Sequence, residues 1–420
     1  MNILIITTGY PPINVSGSIR ALYYSNYLAE LGNEVHVLTT NIPDDFSNYD
    51  STLVEKISSK VKVHRADMGV IFNKLYSKKS EIITNKNSKK SGVQVLKAHI
   101  KEWIAIPDSY LGWRKNAIEL GENLIKEHNI DIVLSMHESP SSHLVAAKLK
   151  NIHPNVRMIG YWSDPWSFDP NRDTYNKIRK KIEFDMEKKV ISSFDKYLFT
   201  TEETKNLYID KFKIESDKTD IVYRGYDKGL FDKTNEIPIE IDKNKINITH
   251  AGEIFTNLRD INPFIDALYN IKFNNKELYE KLNIILLGGV DDFSKIRSIE
   301  ELKCIKIIPR KPFKEAINYI NNSDALLIWG NKNSCQLPGK AYDYLGAKSP
   351  IIAILGDETD PLGEFMTQVN KGIIINNNEK NIISELTNIE SVINNENWTL
   401  PNDRFEWRNV VSDLLEKLRG

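Results

Sequence analysis

Short apolar runs alternate with helical patterns along this chain, and the alternation runs through twice. In the first half, the runs at 2–6, 34–39, 61–63, 131–135, 157–161 and 196–200 read as strands. Helices are expected at 19–31, with Leu22, Tyr23, Asn26, Tyr27 and Leu31 near helical spacing and Gly32 as the stop, and at 142–150. The pattern restarts with strands at 246–250, 282–287, 305–308, 325–329 and 351–354, and with helices at 263–271 and 313–320. A strand that feeds a helix before each new strand gives a parallel sheet covered on both faces. The expected fold is therefore α/β, with two doubly wound halves in succession. A length of 420 residues suits two or three domains. The expected boundaries are a first domain over 1–225, a second over 226–400, and a last helix over 401–420 after the break at Pro401.

Charge and cysteine usage narrow the function. A net charge of −1 gives no global field to attract nucleic acid, and no nucleic-acid partner is expected. Two cysteines, Cys304 and Cys335, cannot form a disulfide framework and suggest a reducing compartment. The eight histidines are scattered without metal-ligand spacing, so no metal site is expected. The apolar N-terminus reads as a first strand rather than a signal peptide, and no apolar run has the length of a membrane span. A cytoplasmic location is the expectation. Residues 74–103 carry eight lysines against Glu81 and Glu102. They read as a solvated insertion; the sharper alternative is a basic flap that gives peripheral contact with a membrane or an anionic acceptor.

The most informative stretch is 334–354. Leu337, Pro338 and Gly339 read as a turn with free amides that feeds a helix N-terminus, an arrangement suited to an anion. Lys340 and Asp343 lie three residues apart on that helix, so they share a face. The cation suits a phosphate and the carboxylate suits ribose hydroxyls, which suggests a nucleoside diphosphate. After the first strand, Gly9-Tyr10-Pro11-Pro12 turns the chain, and Val15-Ser16-Gly17-Ser18-Ile19-Arg20 opens a helix. This is not a dinucleotide fingerprint.

Further segments follow in a recognisable order: Pro107 to Trp113, Ser139-Pro140-Ser141-Ser142, Ser163-Asp164-Pro165-Trp166, Gly225-Tyr226-Asp227, and Ala251-Gly252-Glu253 through Arg259. Together with 337–354 they resemble the GT-B glycosyltransferases, specifically the retaining family-four group with a glycosyl-transferase group 1 domain. The resemblance implies two Rossmann-like domains facing a cleft, with the C-terminal helix crossing back to the first. It implies a retaining transfer from a nucleotide-diphosphate sugar to a glycan or lipid-linked acceptor, without metal or other cofactor, in surface polysaccharide assembly at the inner membrane face.

By the same resemblance, Arg259 and Lys340 neutralise the leaving diphosphate, and Asp343 stands where the family has a ribose-binding Glu. Gly17, Gly252, Glu253, Leu337, Pro338 and Gly339 complete the donor set, and Ser18, Arg20, His137 and Trp166 the acceptor set. Asp164 would orient or deprotonate the acceptor hydroxyl, or else cap the following turn. Bland alternatives stand beside these: packing for Trp162 and Trp166, a loop histidine for His137, and surface charges for Arg259 and Lys340. The chain departs from the pattern at Cys335, where a second acid is usual, and at Ser163, where a histidine is usual. A nucleotide-sugar 2-epimerase and a non-catalytic glycan-binding protein are the rival readings.

Overall fold

The computed structural model describes residues 1–46, 48–69, 106–233 and 236–420, so the lysine-rich segment 74–103 lies outside the described residues. Two compact units emerge. One comprises Met1–Val222 with Val411–Gly420, and the other Tyr223–Val410. The divisions thus fall at 222/223 and 410/411, against the expected 225/226 and 400/401. Backbone pairing accompanies the second shift: the Tyr226 amide donates to the Phe405 carbonyl (2.9 Å) and the Trp407 amide to the Tyr226 carbonyl (3.1 Å), which keeps residues 405–407 with the second unit.

In the first unit, β1 (Asn2–Ile6), β2 (Glu34–Asn41), β3 (Val61–Asp67), β4 (Ile132–Met136), β5 (Arg157–Trp162), β6 (Lys196–Phe199) and β7 (Thr219–Ile221) form one sheet in the order β3-β2-β1-β4-β5-β6-β7. Every pairing is parallel. β1 and β4 are almost wholly buried, as central strands of a doubly wound sheet must be. The final helix, Trp407–Arg419, places Val411, Leu414 and Leu418 in fully buried positions. It is pinned to this unit by Arg157, which donates to the Leu418 carbonyl at 2.7 Å.

In the second unit, β8 (Ile246–Ala251), β9 (Leu282–Leu287), β10 (Ile305–Ile308), β11 (Ala325–Trp329), β12 (Ile351–Leu355) and β13 (Gly372–Asn376) pair in the order β10-β9-β8-β11-β12-β13, again all parallel. Strand order reverses between β1 and β4 in one sheet and between β8 and β11 in the other. In an open parallel sheet, ligands bind beyond the carboxyl ends of the strands at that reversal. Among the described residues, no helix is long and apolar enough to cross a membrane.

Candidate active site

In the second unit, β8 ends on His250 and Ala251 and passes into Gly252, and the chain leaving β11 runs toward Lys340. Gly252 has φ +129°, where side chains are strained, and a Cβ there would stand 2.8 Å from Lys340 Nζ. Only glycine lets the lysine cross this point. Lys340 Nζ lies 2.7 Å from His250 Nε2. His250 is fully buried, and its Nδ1 sits 2.9 Å from the Leu327 carbonyl, which can only accept. The ring proton therefore belongs on Nδ1, and Nε2 accepts from Lys340. Burial, with Lys340 and Arg259 beside it, holds His250 well below its usual range and so neutral.

Arg259 is 7% exposed. It donates through Nε to Asn331 Oδ1 (3.0 Å) and through Nη1 to the Glu253 carbonyl (2.9 Å). Burial lowers its guanidinium to about 10, opposed by Tyr344 and Asp360. Burial and the nearby Arg259 charge likewise hold Lys340 well below an ordinary lysine, and only Asp343 pulls the other way. Two basic side chains of the second unit thus lie within electrostatic reach of one another with too little negative charge, and an anion would relieve both.

Asp343 has a second task. Arg224, 2% exposed, donates through Nη1 to Asp343 Oδ1 (2.7 Å) and to the Gly339 carbonyl (2.9 Å). Burial raises Asp343, and Arg224 and Lys340 counteract it. The arginine thereby fixes both the turn and the carboxylate. The helix here is only five residues, Lys340–Tyr344, with Gly339 before it. It is too short to carry the helix-end field expected from sequence, so the positive charge comes from the side chains of Lys340 and Arg259. Pro338 is buried and Leu337 partly buried against the adjoining core. Glu253 is exposed and contributes its carbonyl to Arg259.

The first unit presents a different constellation. The helix Ser16–Glu30 begins earlier than expected, so Gly17 and Ser18 lie in its first turn rather than in a loop. A Cβ on Gly17 would collide with Glu138 Oε2 at 1.5 Å, and one on Gly9 with Glu138 Cγ at 2.6 Å. The space over the glycine loop, expected to admit a phosphate or sugar, is filled by the Glu138 side chain that leaves β4. Burial and the like charge of Asp164 push Glu138 up to about 7, with Arg20 opposing. Glu138 nevertheless keeps an exposed surface, so solvent is at hand to trade its proton.

Asp164 follows β5. Burial raises its carboxyl, Arg20 lowers it and Asp169 raises it further. Its Oδ2 accepts from Ser163 Oγ at 3.2 Å, and among the described residues it caps no backbone amide. Arg20 is 6% exposed and stacks over Tyr161 at 5.2 Å. Burial pulls its guanidinium down, but Tyr161, Tyr24, Asp164 and Glu138 outweigh this and hold it above its ordinary value.

Three residues expected to meet the acceptor lie buried. Trp166 is fully buried; its amide donates to the Tyr208 hydroxyl (2.9 Å) and its indole N–H to Glu183 Oε2 (3.3 Å). It is core, out of reach of an acceptor. Ser18 is also fully buried beneath Gly9. His137 is 9% exposed and donates from Nδ1 to the Asp164 carbonyl (2.9 Å); burial and Arg172 lower it to about 3, so it positions the Asp164 backbone as a neutral ring. The structure brings together Arg259, Lys340, Gly252 and Asp343 in one unit and Arg20 and Asp164 in the other. Sequence reasoning missed His250, Arg224 and Glu138. The first two are 90 and 119 residues from their partners. Glu138 alone carried a signal, as the residue just past a strand that ends at the point where strand order reverses.

Residues 18–229, just over half of the chain, match the family model for Glycosyltransferase Family 4. The chain belongs to that family. No curated protein matches it in sequence. Solved structures similar to this family-four chain include HepE of Anabaena in complex with UDP, at 12% identity and TM-score 0.64, covering 100% of both chains. A glycosyltransferase of Rickettsia africae is similar at 16% identity and TM-score 0.59, covering 100% of this chain and 97% of that one. The UDP-GlcNAc 2-epimerase of Neisseria meningitidis, bound to UDP-GlcNAc, is similar at 12% and TM-score 0.56, covering 100% of both. At these identities the likeness is one of fold. The two parallel sheets are the Rossmann-like domains of the GT-B fold.

Proposed function

We propose that the chain transfers a sugar from a nucleotide-diphosphate sugar to a hydroxyl of a glycan or lipid-linked acceptor, with retention at the anomeric carbon. The observation that carries this reading is Lys340 and Arg259 near Gly252, two basic side chains each held below its ordinary range for want of an anion. As the glycosidic bond breaks, charge builds on the departing diphosphate. Fixed cations aimed there stabilise the transition state more than the ground state. They do the neutralising that a metal ion does elsewhere, so we assign no metal to this step. Asp343, steadied by Arg224, keeps Oδ2 for the ribose, and the glycine at 252 lets backbone approach the sugar. In the first unit, Asp164 handles the acceptor hydroxyl, with Arg20 setting its charge. A lipid-linked acceptor would bring the enzyme to the inner face of the cytoplasmic membrane, in surface polysaccharide assembly. UDP, the ligand in the Anabaena complex, is the first nucleotide to try.

Calorimetry with UDP and UDP-sugars tests the donor half. At a hundredfold excess over the dissociation constant, ligand should stabilise the fold by about 2.7 kcal/mol. Lys340→Ala should abolish UDP binding with the circular dichroism spectrum unchanged. Wild-type protein that binds no nucleoside diphosphate at millimolar concentration overturns the reading.

A second reading keeps one argument. His250 and Glu138 add acid–base groups that the sequence did not reveal, and a 2-epimerase needs such groups. Incubation with UDP-GlcNAc and no acceptor separates the two, since only an epimerase yields the epimer. Nucleotide binding with no turnover of any donor would favour the non-catalytic reading.

A further inference from the structure

Three histidines that the sequence scatters meet at the opposite end of the first sheet. Glu34 and His36 are two apart on β2, so their side chains share a face. Register places Lys62 beside His36 and His64 beside Leu38, and this puts Lys62 and His64 on the same face of β3. His128 arrives as the residue that ends the helix Leu111–Glu127. The result is compact. His36 Nε2 is 3.1 Å from Glu34 Oε1, and His128 Nδ1 is 4.0 Å from the same oxygen. One ligand atom from each of Glu34, His36 and His128 lies within 4.8 Å of the others. On the far side of the ring, His36 Nδ1 is 3.0 Å from His64 Nε2.

We propose that Glu34, His36 and His128 bind a divalent transition metal, with zinc as the ion that suits two imidazoles and a carboxylate. Zinc sits about 2.0–2.2 Å from such ligands, so neighbouring ligand atoms of a tetrahedral site stand roughly 3.3–3.5 Å apart. The observed 3.1 and 4.0 Å separations bracket that edge, and the third lies within 4.8 Å. The His36 and His128 rings pack at 4.0 Å and 39°, so the partly exposed His128 ring must swing outward to close the site, and water takes the fourth position.

His64 is the positioning residue. With its Nε2 accepting from His36 Nδ1–H, the His36 lone pair is fixed on Nε2, toward the metal. Lys62, which donates to Glu34 Oε1 at 2.6 Å, is the competitor. Its side chain is 52% exposed and can swing into solvent. The strands' carboxyl ends, with Glu138 and Asp164, lie at the other end of the sheet. The metal is therefore a clasp joining β2 to the end of the helix Leu111–Glu127, not part of the transfer chemistry.

The test uses tag-free, chelator-stripped full-length protein titrated with ZnCl2, with CoCl2 as the spectroscopic stand-in. One zinc per chain is expected, with a rise in melting temperature and cobalt ligand-field bands. His128→Gln and Glu34→Gln alter partly exposed groups, with side chains 28% and 42% accessible, so the fold should survive both changes. Each should lower affinity at least tenfold and remove the cobalt bands. His64→Gln should keep the stoichiometry and weaken binding about 10–100-fold. Failure of the wild-type protein to bind one ion, or binding equal to wild type in both ligand variants, overturns the proposal.

Discussion

Arg224 is the best single lever on the donor half, and its removal can be worked through. The Arg224–Asp343 pair is buried, with side chains 3% and 14% exposed. Arg224→Met keeps much of the volume but strands the Asp343 carboxylate and leaves the Gly339 carbonyl with only its longer bond from the Tyr342 amide. Breaking a buried pair from one side costs about 3–5 kcal/mol, because the survivor is charged, desolvated and unpaired. A unit of this size loses about 2–4 °C per kcal/mol, so its calorimetric midpoint should fall by roughly 6–20 °C.

Arg224→Met/Asp343→Leu removes the stranded charge and should recover at least half of that loss, but not all, since the Gly339 carbonyl keeps only the longer bond from the Tyr342 amide (3.3 Å). Acidification supplies an internal check. Asp343 already has a raised carboxyl in the fold, and losing Arg224 raises it further. The folded variant then holds that proton more tightly than the unfolded chain. Its deficit should shrink as pH falls through the folded value toward the unfolded one. A single variant within about 1 kcal/mol of wild type, or a double variant as unstable as the sum of the singles, refutes the reasoning.

Other expectations are shorter. Burial and the Arg259 charge hold Lys340 well below its ordinary range, and a bound diphosphate would raise it; proton uptake on UDP binding should therefore grow as pH rises, visible as a buffer-dependent heat in calorimetry. Glu138 is raised to about 7 although part of it meets solvent, which screens the effect; Glu138→Gln should match wild type in acid and exceed its melting temperature only slightly above pH 7. Trp166→Ala should cost about 3–5 kcal/mol by cavity formation, detected in urea melts, a stability loss that marks it as core rather than as an acceptor contact.

The fold was legible because a doubly wound sheet writes itself in unbroken apolar runs. β9 reads Leu-Asn-Ile-Ile-Leu-Leu and is buried along its whole length. β7 escaped because it is a three-residue edge strand, Thr-Asp-Ile, buried at no position. β13 is an edge strand in which only Ile375 is buried, so its short run Ile373 to Ile375 lacks the signature of a central strand. The site was legible where function is local. Gly252, Arg259 and Lys340 stand out from their own neighbours. Arg224, His250 and Glu138 do not, since each acquires its role from a side chain brought near by the sheet. The histidine cluster shows the same limit: its members come from two strands and a helix end, and no sequence spacing could have joined them.

The helix Trp407–Arg419 has a consequence in time as well as in space. The first unit needs Val411–Gly420 to be whole, whereas the second is continuous from Tyr223 to Val410. During synthesis the second unit can therefore reach its final form while the first, made earlier, still exposes the apolar seat that Val411, Leu414 and Leu418 will cover. The order of completion is the reverse of the order of translation. The first unit is sealed only once residues 411–420 have emerged, after the whole of the second unit has been made.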